Sequence, residues 1–465
     1  MDSDIQNELN RIDEYMARVR QWAAGRENPP RAHVCTFGCQ MNVRDSEKLA
    51  GMLVGMGYEM VDDEDSADFV VMNTCCVREN AENRVYGRLG QLKAKKAEDK
   101  DFRIGVCGCM PQQDVVVDTL KRSYRFVDII FGTFNIHRLP QLLWDSISGG
   151  GQIVDIWREH GGGAGADDLP AIREHRHKSG VNIMYGCDNF CTYCIVPYVR
   201  GRERSRSAAD ILAEIRDLVA DGVVEIMLLG QNVNSYGAGA DISFPQLLRQ
   251  IAAIPGLLRI RFMTSHPKDL SDELISAMAD CDNICKHLHL PVQAGGDAVL
   301  EKMNRGYTKE GYLELINRAR SAIPGLAITT DIMAGFPGES DADFEDTMDI
   351  VRRARFAGAF TFYYSKRHGT AAAAMENQID ETTAKSRFDR LLAEVNRITA
   401  EINAEKLGRE MVVIPDNIGR NGLLDCRADD NSLVHIPGGE EMLGIPVKIK
   451  IIDAKSFYLL GGIIE

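Results

Sequence analysis

Three cysteines on one short loop are the residues of this chain best suited to hold a metal cluster. Cys187, Cys191 and Cys194 stand in the run YGCDNFCTYCIVP, with the spacing C-x₃-C-x₂-C. Three thiolates at that spacing can bind three irons of a [4Fe–4S] cluster, and the fourth iron then has no protein ligand from this loop. A substrate or cofactor can bind such an open iron and be reduced there. The spacing therefore predicts a cluster with one accessible coordination position.

The alternative for this loop is a structural zinc site. Such sites favour paired C-x₂-C knuckles with a fourth ligand at a fixed distance along the chain. No second knuckle and no H-x₃-H follows the loop. We therefore interpret the loop as a cluster site.

A second group of cysteines lies at the ends of three predicted strands in the first third of the chain. The turns are FGCQMN with Cys39, NTCCVRE with Cys75 and Cys76, and VCGCMPQ with Cys107 and Cys109. Parallel strands end at one edge of a sheet, so one cysteine from each strand end could meet the others there. Spacing alone does not choose between Cys107 and Cys109, and buried cysteine is also a common small core residue. These residues leave a second three-thiolate cluster and simple packing open.

Alternating strands and helices must position both groups. We expect a helical extension at 1–30, followed at 31–146 by an α/β domain with a largely parallel sheet. Glycine enrichment predicts a flexible linker at 147–177. Roughly six strand–helix units at 178–405 predict a full or partial (βα) barrel. Short β-like runs at 406–465 predict a small all-β barrel.

Composition narrows the class of protein. A chain of 465 residues is expected to form about two to four domains. The N-terminus is charged and has no apolar signal core, and no apolar run approaches the ~18 residues that span a bilayer. Twelve cysteines in such a chain favour metal ligation in a reducing, cytoplasmic compartment over disulfides. The net charge of −14 counts mildly against a nucleic-acid partner, although an acidic protein can carry a basic patch.

Eight runs of sequence follow one another in an order typical of one family. They are TFGCQMN, NTCCVRENAENRVYGRLGQLK, GVCGCM, VDIIFGTFNIHRLP, CDNFCTYCIVPYVRGRERSR, LLGQNVNSYG, HLHLPVQAGGDAVLEKMNRGYT and DIMAGFPGE. In this order the chain resembles the methylthiotransferases of the radical S-adenosylmethionine (SAM) superfamily. The tail resembles the TRAM domain, an RNA-binding β-barrel. GCQMN and PYVRGRERSR resemble most closely the branch that acts on N6-dimethylallyladenosine in tRNA.

The resemblance implies two [4Fe–4S] clusters and SAM as cofactors. The cysteine loop at 187–194 would hold the catalytic cluster, whose open iron binds SAM. One cysteine from each of three strand ends would hold an auxiliary cluster, namely Cys39, Cys75 and Cys109. The remaining cysteines of that domain would then be strand packing, namely Cys35, Cys76 and Cys107.

The implied reaction converts N6-dimethylallyladenosine at position 37 of tRNA to its 2-methylthio derivative. The C2–H of adenine offers no acidic proton to a base, so a radical route is needed. In the family, one SAM methylates a sulfur at the auxiliary cluster, and a second SAM is cleaved to the radical that activates C2. The alternatives are a sister methylthiotransferase acting on threonylcarbamoyladenosine in tRNA or on a ribosomal-protein aspartate, and a non-catalytic Fe–S RNA-binding protein.

The resemblance also implies contacts with SAM and RNA. For SAM we expect Tyr193, Gly230, Gln231, Gln293, Gly335 and Glu339. For substrate RNA we expect Asn232, Asn234, Arg200, Arg202, Arg204 and Arg367. The alternatives are a polar turn stabilised by its own hydrogen bonds at 230–234, a solvated arginine face at 200–206, and a simple strand-to-helix turn at 335–339.

The implied partners follow from this reaction. They are the anticodon stem-loop of tRNA, a reductant protein such as flavodoxin or ferredoxin, and a carrier of sulfur or Fe–S clusters. We expect a monomer and no membrane partner. The tail from 409 to 465 has nine acidic and six basic residues, so we expect few, individually placed RNA contacts there.

Overall fold

The computed structural model describes residues 3–76, 79–159, 169–237 and 241–464. The chain divides into two compact units. The first comprises Met1–Glu174 and Ile195–Arg202, and the second comprises His175–Cys194 and Glu203–Glu465. No helix among these described ranges is both long and apolar enough to cross a membrane.

The first unit is an α/β domain with a parallel sheet, as predicted. Its strands are β1 Arg31–Phe37, β2 Glu59–Met60, β3 Phe69–Thr74, β4 Arg103–Gly108, β5 Ile129–Phe131 and β6 Ile153–Asp155. Its helices are α1 Ser3–Ala24, α2 Gln40–Gly55, α3 Glu79–Glu98, α4 Asp114–Ser123, α5 Leu139–Gly149 and α6 Val196–Arg200. The strand order is β2-β1-β3-β4-β5-β6, and every neighbouring pair is parallel.

The central strand β3 explains why helices cover both faces of this sheet. Its sequence, FVVMNT, is apolar at successive positions and buried throughout, as expected of a parallel strand covered on both sides. Phe69 and Val71 pack into one apolar cluster with α1, α2 and α5. Val70 and Met72 pack into another, with α3 and α4.

Two segments extend this domain beyond its predicted bounds. Helix α1 buries Ile12, Met16 and Val19 in the core, so the N-terminal extension is part of the packed domain. Strand β6 lies within the range 147–177 expected as a linker and pairs with β5, because the glycines before it form a turn rather than a break. The glycine-rich run at 161–166 lies outside the described residues.

The second unit contains the partial (βα) barrel. Its strands are β7 Lys178–Asn182, β8 Met184–Tyr185, β9 Arg204–Ser205, β10 Glu225–Leu229, β11 Arg259–Phe262, β12 His287–His289, β13 Ala327–Ala334 and β14 Gly358–Tyr363. Its helices are α7 Ala208–Ala220, α8 Phe244–Ala252, α9 Asp272–Asp280, α10 Asp297–Lys302, α11 Lys309–Ala322, α12 Asp341–Ala354 and α13 Glu381–Ala404. Parallel sheets β7-β10-β11 and β12-β13-β14 follow one another, with a bridge between Ile260 and Ile284. The C-terminal ends of these six parallel strands therefore face one side, where barrel sites lie.

A closed five-stranded barrel completes the second unit, as the sequence at 406–465 predicts. Its strands are β15 Glu410–Ile418, β16 Leu424–Ala428, β17 Leu433–Ile436, β18 Val447–Ala454 and β19 Leu459–Ile463, in the order β15-β16-β17-β19-β18. Two buried arginines of β11 attach it. Arg259 donates to the carbonyls of Arg427 and Val412, and Arg261 donates to that of Ala428.

Candidate cluster and cofactor sites

In the first unit, the cysteines lie where the central strands end. The last residues of β1, β3 and β4 are register partners across the sheet. Cys75 and Cys109 follow β3 and β4 immediately, and Cys39 lies two residues after β1. The backbone N–H of Cys75 donates to Phe37 O and that of Cys109 to Thr74 O, both at 2.8 Å. The sheet thus brings the three predicted auxiliary ligands to one edge.

Two buried asparagines fix these strand ends. Asn42 Nδ2 donates to Asn73 Oδ1 at 3.0 Å, and Asn73 Nδ2 donates to Asn42 O at 2.8 Å. The backbone N–H of Cys39 donates to Asn42 Oδ1 at 3.3 Å at the start of α2. Thr74 Oγ1 donates to Cys107 O at 2.6 Å. Sequence reasoning missed both asparagines, although each stands close to a cysteine in FGCQMN or NTCC.

Gly108 separates the roles of Cys107 and Cys109. Its φ is +95°, and a Cβ there would lie 2.4 Å from Thr74 O, so the turn requires glycine. The turn ends the strand alternation. Cys107 packs in the core with α1, α2 and α5, whereas Cys109 lies in a separate small cluster with Cys76. The structure therefore places Cys109, and not Cys107, in the thiol group at the sheet edge.

Cys76 also joins this group, where the sequence predicted strand packing alone. A hydrogen bond to Cys109, together with burial, raises the pKa of the Cys76 thiol. The same hydrogen bond lowers the pKa of Cys109, with a further contribution from the Arg200 guanidinium. The chain has left β3 after Thr74, so strand alternation no longer sends adjacent side chains apart.

Cys35 belongs to a different part of the first unit. Its Sγ donates to Glu64 Oε1 at 3.0 Å, and burial raises its pKa. His33 completes a set of three potential ligand atoms within 4.8 Å of one another. Glu64 is already paired with Arg88 at 2.6 Å. These contacts satisfy the carboxylate, so we assign Cys35 to packing.

Arg200 lies against Cys109 and is not on an RNA-facing patch. It is the last residue of α6 and is 6% exposed. Its Nε donates to Cys109 Sγ at 3.2 Å, and its Nη2 pairs with Asp45 Oδ2 at 3.1 Å. The predicted phosphate contact is wrong for Arg200, because its buried guanidinium is already engaged by Cys109 and Asp45.

The other predicted RNA arginines differ from one another in environment. Arg202 is exposed. The guanidinium of Arg204 lies 5.5 Å from the centre of the Tyr185 ring. Arg367 is half-buried, and its carbonyl accepts a hydrogen bond from Thr370. RNA contact stays a prediction for these three arginines.

In the second unit, the cysteine loop follows β8 and precedes the segment that leads to β9. Cys187 and Cys191 are buried, and Cys194 is half-buried. The backbone N–H of Cys194 donates to Cys191 O at 2.9 Å, which closes a turn. Burial raises the pKa of Cys187, and Asn189 Nδ2 lies 3.5 Å from its Sγ. The three thiols lie on one short loop, and cluster ligation by them stays a prediction.

The motif MNRGYT anchors this loop. The backbone N–H of Thr192 donates to Met303 O at 3.1 Å. Asn304 Nδ2 donates to the carbonyls of Asn189 and Phe190 at 3.1 and 3.2 Å. Asn304 and Phe190 both have positive φ, at +60° and +46°. Such strained backbone persists only where its surroundings fix it, and it is concentrated at functional sites.

Arg305, from the same motif, lies beside the cysteine loop. It is 5% exposed and its Nη1 donates to Cys191 Sγ at 3.4 Å. Nη2 donates to Pro291 O at 2.6 Å, and Nε donates to Tyr307 Oη at 2.8 Å. Sequence reasoning missed Arg305. The signal was a basic residue in a run that the family resemblance already contained.

Two predicted SAM residues lie in the packing around this loop. Tyr193 packs against an apolar cluster that includes Phe336 and Ala372, and burial raises its pKa. At the end of β10, a Cβ on Gly230 would lie 2.5 Å from Met184 Cγ, so glycine permits close packing beside β8. Gln231 follows in the same turn and is half-buried.

The two asparagines predicted to contact RNA have different environments. Asn232 Nδ2 donates to Asp269 Oδ2 at 2.7 Å, and Asn232 Oδ1 accepts the backbone N–H of His266 at 3.0 Å. These contacts tie the turn to the segment after β11, and RNA contact stays a prediction for Asn232. Asn234 Oδ1 accepts from Ser265 at 3.0 Å, while its buried Nδ2 has no hydrogen-bond partner among the described residues.

The backbone of Gln293 is strained, because its φ is positive. Its φ is +69°, and it is 7% exposed. Its backbone N–H donates to Asp331 O at 2.9 Å, and its carbonyl accepts from Met333 at 2.8 Å. Thr264, after β11, also has a φ of +69°. The strain lies at the C-terminal strand ends, where ligands bind in this fold.

The Gly-rich turn after β13 is organised by Glu339. Gly335 has a φ of +74°, and its N–H donates to Glu339 Oε2 at 2.8 Å. Arg387 Nη1 pairs with the same oxygen at 2.8 Å. Burial raises the pKa of Glu339, whose Oε1 has no hydrogen-bond partner in the described part of the chain. These contacts support the strand-to-helix turn, and SAM contact stays a prediction.

His266 is a further polar residue at the strand ends that sequence reasoning missed. It is 5% exposed, and burial lowers its pKa to about 2, so the ring is neutral. Its Nδ1 accepts the backbone N–H of Lys268, so Nε2 carries the proton. Nε2 has no hydrogen-bond partner within the described ranges. The structure thus offers a buried donor after β11 and, in Asn234, another after β10.

The chemistry of both thiol groups fits iron–sulfur clusters. Each group contains three predicted thiol ligands, and each has a buried arginine that donates to one ligand sulfur. Thiolates hold such clusters, and hydrogen bonds to their sulfurs tune them.

Comparisons with known proteins agree with this chemistry. The model of the Radical SAM superfamily matches residues 181–351, and that of the Uncharacterized protein family UPF0004 matches residues 31–132. The tRNA-2-methylthio-N(6)-dimethylallyladenosine synthase of Lachnoclostridium phytofermentans is 50% identical over 97% of this chain and 99% of its own. The protein of the same name from Alkaliphilus oremlandii is 51% identical over 93% of this chain and 92% of its own.

A solved structure shares the fold at low sequence identity. The radical SAM methyltransferase TsrM of Kitasatospora setae is 15% identical to this chain. The match covers 74% of each chain, with a TM-score of 0.51. This likeness shows a shared fold alone.

Proposed function

Because the chain belongs to the tRNA-2-methylthio-N(6)-dimethylallyladenosine synthases, which are radical SAM methylthiotransferases, we propose that it methylthiolates C2 of N6-dimethylallyladenosine at position 37 of tRNA. The observation that carries this proposal is the near full-length identity to such synthases. Its cofactors are two [4Fe–4S] clusters and SAM.

We propose ligands for both clusters from the two thiol groups. The loop cysteines would hold the catalytic cluster, namely Cys187, Cys191 and Cys194. The strand-end cysteines would hold the auxiliary cluster, namely Cys39, Cys75 and Cys109. When bound, these groups and SAM supply the electron, the radical and the sulfur that the adenine C2–H requires.

The residues around the thiols position and shield this chemistry. Asn304 and Arg305 hold the cysteine loop in one conformation through its carbonyls and through Cys191 Sγ. Neutral His266 and Asn234 present N–H donors at the ends of β11 and β10, which suits acceptor atoms of SAM or of the adenine. Burial of both donors excludes water, so a ligand acceptor there would satisfy them.

The proposed partners follow from a tRNA substrate. The five-stranded barrel would bind the anticodon stem-loop, and Arg202, Arg204 and Arg367 remain proposed phosphate contacts. A flavodoxin or ferredoxin would supply electrons, and a carrier would restore sulfur. We propose a monomer that acts in the cytoplasm, where its tRNA is found.

The test combines metal analysis with product analysis. Wild type and a loop variant, Cys187→Ala/Cys191→Ala/Cys194→Ala, would be reconstituted anaerobically. Each would then be incubated with SAM, dithionite and dimethylallyl-tRNA. We expect about eight irons in wild type and about four in the loop variant, with a methylthio nucleoside from wild type only. About four irons in wild type, all lost in the loop variant, would remove the auxiliary cluster and with it the proposed function.

A further inference from the structure

For Arg200 the structure replaces a predicted solvent-facing role with a defined buried contact. Its guanidinium is buried in the first unit between Cys109 Sγ and the carboxylate of Asp45. A buried cation needs compensation, and here it comes from one carboxylate and one sulfur. The side chain is therefore committed to the thiol group and is unavailable to RNA.

The geometry shows that Arg200 is the hydrogen-bond donor. It also indicates the direction in which the contact would shift the reduction potential of a cluster. The Nε–H of Arg200 donates to Cys109 Sγ at 3.2 Å, while its Nη2 binds Asp45 Oδ2 at 3.1 Å. The Asp45 side chain is 14% exposed, so the pair is poorly screened by water. A hydrogen bond and a positive charge at a ligand sulfur both favour the more negative, reduced state of a cluster.

The sequence segment that carries Arg200 also supports this role. It leaves the cysteine loop after Cys194, and Ile195–Arg202 packs with the first unit. Ile195 and Val199 pack against Cys76 and Cys109 in one small apolar cluster. Thr133 Oγ1 donates to Val199 O at 2.9 Å, one residue before Arg200. The arginine is thus held from the backbone as well as from its side chain.

We propose that Arg200 is a positioning residue of the auxiliary cluster, which fixes the Cys109 sulfur and raises the reduction potential of the cluster. Asp45 opposes it by placing a negative charge beside the same guanidinium. The inference rests on the auxiliary cluster of the proposed function. It adds to that function an electrostatic control that the cysteine ligands alone do not provide.

The test is a redox titration monitored by EPR. It uses the full-length loop variant, in which only the auxiliary cluster remains. Arg200→Gln keeps a hydrogen-bonding side chain and removes the charge, and Asp45→Asn keeps the arginine and removes its counter-charge. We expect Arg200→Gln to lower the reduction potential of the auxiliary cluster. The preference for the reduced state should weaken about tenfold, which is about 59 mV for one electron. We expect Asp45→Asn to raise the potential.

Arg138→Gln is the matched control. Arg138 pairs with Asp155 in the same unit and also donates to Gln141, so its loss breaks a half-buried ion pair in which no cysteine takes part. It should leave the potential unchanged. A merely structural ion pair would lower iron content or stability in Arg200→Gln without moving the potential of the cluster that remains.

The outcomes separate this inference from the proposed function. Opposite shifts for Arg200→Gln and Asp45→Asn would support the inference. Unchanged potentials in both variants, or shifts of the same sign, would overturn it while leaving the two-cluster enzyme intact. Should Arg200→Gln fail to load a cluster, the sign of the Asp45→Asn shift decides alone. A loop variant without iron would overturn the proposed function itself.

Discussion

Cys75 and Cys76, the adjacent cysteines after β3, show that neighbouring positions in the chain can have different roles at a cluster site. Cys75 continues the ladder through its N–H to Phe37 O, and Cys76 contacts Cys109 by a thiol hydrogen bond. Both are buried, so burial does not distinguish them. The family resemblance selects Cys75, and the hydrogen bond of Cys76 makes it a neighbour of the proposed cluster.

The choice between these thiols is testable in the loop variant. We expect Cys75→Ser to lose most of the remaining iron, because an alcohol is a poor replacement for a thiolate ligand. We expect Cys76→Ser to keep the cluster, because serine preserves a side chain that can hydrogen-bond beside Cys109. Iron and sulfide per chain are the measurement. Retention in Cys75→Ser with loss in Cys76→Ser would exchange the two assignments.

At the scale of elements, the turn after β4 determines where Cys109 lies. We expect Gly108→Ala to destabilise the first unit by about 1–3 kcal/mol, because alanine is strained at positive φ and its Cβ would meet a backbone oxygen. Gly87→Ala in α3 is the control, since open space surrounds its Cβ and alanine favours helix by about 1 kcal/mol. Urea unfolding compares the two. Equal stabilities would contradict the role of Gly108.

The strand β12 gives the second unit a pH dependence. Burial lowers the pKa of His287 to about 3, with His289 and Arg261 contributing. An unfolded chain binds the proton near pH 6.5, so it holds more protons than the native state between pH 6.5 and 3. Stability therefore falls on acidification, by up to about 1.4 kcal/mol per pH unit for this group. We expect His287→Gln to flatten the acid limb of a urea-midpoint profile, and an unchanged slope would contradict this prediction.

At the scale of the whole molecule, each of the two units has a group of predicted cluster ligands with a buried arginine beside it. In the first unit the thiols follow the C-terminal ends of parallel strands, and in the second the cysteine loop follows β8, a short strand after the parallel strand β7. Each then brings a buried arginine to one ligand sulfur, with Arg200 at Cys109 and Arg305 at Cys191. A contact between a buried arginine and a cysteine sulfur therefore occurs in both units.

The sequence predicted those parts of the molecule that local pattern controls. Strand alternation and turn residues predicted the α/β domain, the partial barrel and the terminal β-barrel, and spacing predicted the loop thiols. Contacts between residues far apart in the sequence could not be predicted from local pattern. Thr192 and Lys302 are 110 positions apart, and Arg200 and Cys109 are 91 apart. A run of alternate arginines therefore resembled a phosphate patch, although Arg200 is buried.

The nucleoside product tests the central claim most directly. Wild-type enzyme with SAM and dithionite would be given dimethylallyl-tRNA and, separately, threonylcarbamoyl-tRNA, and each digest would be analysed by mass spectrometry. We predict the 2-methylthio derivative from dimethylallyl-tRNA only. Product from threonylcarbamoyl-tRNA alone, or 5′-deoxyadenosine release without any methylthio nucleoside, would contradict the proposed function.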